Sequence, residues 1–67
     1  MTHEEKITKC LIYTLRLIAR EQPTMGELLA ELKRSGNHAG CAAEVLRRLS
    51  QAQVIYYEPT TGRFEMV

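Results

Sequence analysis

Thr24–Tyr57, TMGELLAELKRSGNHAGCAAEVLRRLSQAQVIYY, carries the start and stop signals of two helices and the beginning of a strand. Thr24 and Glu27 have the spacing of a capping box. In that arrangement the threonine hydroxyl accepts from the Glu27 backbone N–H while the Glu27 carboxylate reaches back to the N–H of Thr24. Met25, Leu28, Leu29 and Leu32 supply a buried face, and Lys33 and Arg34 place cations where the helix dipole favours them. Gly36 tolerates the left-handed conformation that ends a helix. The spacing predicts a helix over residues 25–34. Asn37 is a good N-cap for the next helix. Ala42, Val45, Leu46 and Leu49 make the inward face of that helix, with His38 and Cys41 at the margin. Its opposite face carries Asn37, Gly40, Glu44, Arg47 and Gln51, flanked by Ala43 and Arg48. That face starts with short side chains and becomes basic further on.

Upstream, Ile7, Leu11, Leu15 and Ile18 follow helical spacing, with Thr14 on the same side, so residues 3–21 read as a first amphipathic helix. It stops before Pro23, because the residue preceding a proline is pushed out of the α region, which puts the break at Gln22. Cys10, Tyr13 and Leu17 form a second apolar stripe beside the first. This surplus is expected to cover a homodimer contact. Downstream, Val54–Tyr57 is β-branched and aromatic, Pro59–Gly62 is turn chemistry, and Arg63–Val67 alternates, which together predict a β-hairpin. Adjacent strand residues point to opposite faces, so at most one of Tyr56 and Tyr57 is expected outside, and packing is the expected role of both.

The 67 residues are read as one domain, residues 1–67. A chain this short buries only about 60% of the surface its unfolded form exposes, so a thin core benefits from oligomerisation. Hydrophobic residues at 45% and charged residues at 25% place it among ordinary soluble globular chains. The formal net charge of +1 lacks the basic excess of a protein that coats nucleic acid indiscriminately. Residues 1–32 hold four cations against five carboxylates, net −1, and residues 33–67 hold five against three, net +2. Phosphate contact is therefore expected from the C-terminal half.

Cys10 and Cys41 lack C-x-x-C spacing, which fits a reducing compartment. No signal peptide or membrane span is legible, so a soluble cytoplasmic protein is expected. His38 and Cys41, with His3 and Cys10 elsewhere, lack the paired spacing of a zinc site, and no metal or other cofactor is expected. The chain has no Asp, no glycine-rich phosphate loop and no ordered nucleophile, histidine and acid, which argues against an enzyme.

Helix, helix, tight turn, helix and hairpin is an α+β, mostly helical order that resembles a winged helix-turn-helix domain. TMGELLAELKRSGN and AAEVLRRLSQAQVIYYEPTTGRFEMV are similar to the cores of small bacterial and archaeal regulators of the MarR, ArsR and PadR kind. The chain departs from their pattern at Gln53, where such domains often have Gly. The resemblance implies that the third helix enters the major groove of double-stranded DNA and that the hairpin wing touches the backbone. It gives contact roles to residues 37–48 and 60–63. The expected DNA-binding set is Lys33, Arg34, Asn37, Gly40, Ala43, Glu44, Arg47, Arg48, Gln51, Thr60, Thr61 and Arg63. Gly40 and Ala43 allow close approach to a groove edge, an arginine can pair bidentately with guanine, and N–H groups at 37–39 can receive a phosphate. The expected function is transcription regulation of the phage, plasmid or mobile-element type. The alternative is a winged-helix protein-interaction module with little intrinsic affinity for DNA, and a protein partner beside DNA is a third expectation.

Overall fold

The computed structural model describes residues 2–37 and 39–67. Three helices, α1 (His3–Glu21), α2 (Met25–Arg34) and α3 (Ala39–Gln51), precede two antiparallel strands, β1 (Ile55–Glu58) and β2 (Arg63–Met66). The architecture is α+β, mostly helical, with a C-terminal two-stranded hairpin. No helix among the described residues is long and apolar enough to cross a membrane.

The caps explain where the helices begin and end. Thr2 caps α1 by accepting from the Glu5 N–H at 3.2 Å. Gln22 closes α1 in the left-handed conformation, and Pro23 follows it. The capping box of α2 is complete: Glu27 N–H donates to the Thr24 hydroxyl at 3.2 Å, and Thr24 N–H to the Glu27 carboxylate at 2.9 Å. At the other end of α2, Asn37 N–H donates to the Leu32 carbonyl and Gly36 N–H to that of Lys33, with Gly36 at φ 84°. This is a Schellman stop, which needs a left-handed residue at the position of Gly36. The end of α3 repeats it with Gln53 at φ 60°, as Val54 N–H donates to Leu49 and Gln53 N–H to Ser50. The chain thus takes the glycine-type turn at Gln53 without a glycine.

The hairpin pairs Ile55 with Met66 and Tyr57 with Phe64. Its strands sit one residue away from the expected Val54–Tyr57 and Arg63–Val67 limits. Thr24 bridges to Arg63, and Phe64 N–H donates to the Pro23 carbonyl at 2.9 Å, so β2 is also pinned to the connection between α1 and α2. The hairpin is held beside α3 by this second attachment.

The core joins Ile7, Cys10, Leu17 and Ile18 of α1 to Leu28 and Leu32 of α2, to Ala42, Val45, Leu46 and Leu49 of α3, and to Ile55 and Phe64. Here the first helix corrects its sequence reading. Cys10 and Leu17 are each 1% exposed and Tyr13 is half-buried, so the supposed dimer stripe lies within the chain's own core or at its edge. α1 packs against α3, α2 and β2 together, and that enclosure takes up the wide apolar arc. Leu11 and Leu15 are pushed to the margin instead. Met25 and Leu29 are also more exposed than expected, because the buried row of the short α2 narrows to Leu28 and Leu32. Tyr56 and Tyr57 both remain exposed, since only one side of a two-stranded sheet faces the helices and its edge lies outside the core.

Candidate nucleic-acid interface

Gly40, Ala43, Arg47 and Gln51 are exposed along the outer side of α3, and Glu44 and Arg48 are half-buried beside them. A Cβ added at Gly40 would meet nothing within 4 Å, so the beginning of this face is open to a close neighbour. Further along, Arg47 is held in a fork. Its Nη2 lies 2.6 and 2.7 Å from the two Glu44 oxygens, and its Nη1 donates to the Gln51 side-chain oxygen at 3.3 Å. Arg48 donates to Glu44 at 2.9 Å through Nε and reaches Glu4 of α1 through both Nη atoms. Hydrogen bonds from Arg47 and then Arg48 hold the Glu44 carboxyl below its ordinary pKa of 4.5. The hydrogen bond and charge of Arg48 do the same to Glu4. Two arginines and two glutamates make this patch neutral overall.

The hairpin tip is organised by Glu58, whose carboxylate accepts from the Thr60 hydroxyl at 2.7 Å and the Thr60 N–H at 3.0 Å. Both bonds lower the Glu58 pKa. Gly62 at φ 70° completes the turn by donating to the Glu58 carbonyl. Thr60 and Thr61 are exposed at its end. Arg63 turns away from that end, toward the Gln22 carbonyl at 3.0 Å and Glu27 at 3.3 Å. Its charge adds to the two Thr24 hydrogen bonds that depress the Glu27 pKa.

Of the remaining expected contacts, Arg34 forms a two-point pair with Glu31, whereas Lys33 is exposed and has no ion pair among the described residues. Asn37 directs its amide to the Ser35 hydroxyl at 2.7 Å. Its expected N-cap role and the proposed phosphate seat both turn on His38, which lies outside the described residues, as does the expected placement of His38 at the margin. The structure therefore brings Gly40, Ala43, Glu44, Arg47, Arg48 and Gln51 together and ties Arg34 and Arg63 elsewhere.

Sequence reasoning missed two features. Glu4 is one, and no local spacing relates it to Arg48. The other is an open apolar trough of about 530 Å³ between α3 and the hairpin, lined by Met25, Leu46, Tyr57 and Phe64 among others. Tyr57 and Phe64 meet there edge to face, with ring centroids 5.3 Å apart. The walls of the trough come from α2, α3 and the hairpin, and no local spacing in the sequence relates them. Comparison with known proteins finds no family model that matches the chain, and no curated protein or solved structure matches it.

Proposed function

We propose that the chain is a small transcriptional regulator that binds double-stranded DNA selectively, with α3 in the major groove and the hairpin tip beside the backbone. The observation that carries this reading is the unobstructed face of α3, small at Gly40 and Ala43 and then lined by Glu44, Arg47 and Gln51. Each of these longer side chains matches a base edge. Arginine pairs with guanine O6 and N7, glutamine with adenine N6 and N7, and glutamate accepts from cytosine N4. The Arg47–Glu44 pair does not bar such use, because it lies at the surface, where water competes for both partners. It does cancel long-range attraction, so affinity in this reading comes from base edges more than from phosphate.

A selection of random duplexes with the purified chain tests this. Recovery of a common sequence, lost with Arg47→Ala in a folded variant, is the expected outcome. Recovery without sequence preference, or with an unchanged preference in Arg47→Ala, contradicts it. The pairing of Arg47, Arg48 and Arg63 with carboxylates favours a second reading, a protein-interaction module of the same architecture.

A further inference from the structure

The two halves of the chain differ in formal charge, and ion pairing reverses that difference at the surface. Arg34, Arg47, Arg48 and Arg63 are all matched by carboxylates. On α1, Lys9 and Arg16 have no ion pair among the described residues, and both are exposed or at the surface. They flank Ile12, which is 45% exposed, on one side of the helix. Between this side of α1 and the turn after α2 lies a concavity of about 400 Å³, lined by Lys9, Ile12, Tyr13, Arg16, Ser35 and Asn37. Among the described residues its lining carries no carboxylate, and Glu4 and Glu5 lie on the other side of Lys9 and Ile12.

We infer that this groove docks an acidic segment of a partner protein in extended conformation, with a large apolar side chain seated on Ile12 and Tyr13 between two carboxylates. Lys9 and Arg16 are two helical turns apart, about 10 Å along the axis at 1.5 Å per residue. In an extended chain alternate residues face the same side, so an apolar side chain at i+2 meets Ile12 and Tyr13 while carboxylates at i and i+4, about 13 Å apart, meet the long side chains of Lys9 and Arg16. The apolar floor distinguishes the site from a phosphate-tracking surface, where a side chain such as Ile12 would gain nothing from contact. The ring of Tyr13 provides a wall that is already half-buried. Ser35 Oγ is engaged with the Leu32 carbonyl and accepts the Asn37 amide. This face of α1 is separate from the outer face of α3, so the inference stands apart from the DNA-binding proposal.

The test is a selection from a displayed library of random nine-residue peptides on the immobilised full chain, followed by anisotropy with the recovered peptides. Enrichment of two acidic residues four positions apart, with a Leu, Ile, Phe or Met midway between them, is the expected result. Binding should weaken with salt and fall about tenfold or more in Lys9→Glu/Arg16→Glu, as expected when both charge pairs become repulsive. That variant should keep the helical circular dichroism of the wild type, because neither side chain has an ion pair or hydrogen bond among the described residues. Peptides without acidic residues, no enrichment, or unchanged binding by the folded variant would each overturn the inference. So would sedimentation showing a self-associated chain that the double variant dissociates, because the occupant would then be a second copy. Equal loss of duplex DNA binding in the double variant would overturn it too, by making the groove a nucleic-acid surface. Loss of DNA binding in Arg47→Ala alone leaves the groove untouched, so the two proposals fail separately.

Discussion

Arg48 of α3 donates to both carboxylate oxygens of Glu4 in the first turn of α1, at 3.1 and 3.3 Å, across 44 positions of sequence. This contact straps the start of α1 to the last turn of α3 and at the same time neutralises an arginine that the sequence assigns to DNA. Its acid limit follows from the sign of the shift. The Glu4 pKa is lowered in the folded chain, so the tie is fully present above the ordinary carboxylate value of 4.5 and is lost as pH falls through the lower folded value. A carboxyl-detected NMR titration should give Glu4 a midpoint below 4.5 that returns toward it in Arg48→Ala. Identical midpoints in the two proteins would mean that the strap does not persist in solution.

The capping box at Thr24 links the start of α2 to the hairpin, because Glu27 serves both Thr24 and Arg63. Thr24→Ala removes an N-cap and should cost about 0.5–2 kcal/mol in urea denaturation. A change well under that range would show that water replaces the hydroxyl without loss.

Gln53 and Gln22 hold left-handed backbone that costs a side-chain-bearing residue about 1–2 kcal/mol. Gln53→Gly should stabilise the chain by about 0.5–1 kcal/mol, the entropy of the unfolded glycine offsetting part of the gain. A lower thermal midpoint would contradict the assignment of Gln53 as the residue that closes α3.

Leu17 is 1% exposed and belongs to the core. Leu17→Ala should cost about 2–5 kcal/mol, and Leu17→Glu should fail to fold because it buries an unpaired charge. A folded Leu17→Glu protein by circular dichroism would return Leu17 to the surface.

Much of the fold was legible because its signals are local. The Thr24–Glu27 box, Gly36 and the break at Gln22 set the limits of α1 and α2 from neighbouring residues alone, and the structure places them there. The side of α1 that is buried was not legible in the same way. A broad apolar arc leaves open which part is enclosed, and the answer depends on where α2, α3 and β2 pack, so Cys10 and Leu17 changed from interface to core. The candidate site divided along the same line. Periodicity gathers Gly40, Ala43, Glu44, Arg47 and Gln51 onto α3. The partners that neutralise Arg48 and redirect Arg63 come from Glu4, Gln22 and Glu27, and no spacing within α3 or the hairpin reveals them. Counting charges by halves does not reveal which cations are already matched by carboxylates.

The most direct measurement is an anisotropy titration of the purified chain with a labelled duplex carrying the sequence recovered by selection, at low and near-physiological salt, repeated with Arg47→Ala. The account predicts binding at low salt that weakens modestly as salt rises. Two or three phosphates per chain at about 0.9 each give a log–log slope of roughly −2 to −3. It also predicts a loss of about tenfold or more in Arg47→Ala, the scale of one bidentate base contact. No binding at low salt, or equal affinity in the folded Arg47→Ala protein, would contradict a DNA-reading role for α3.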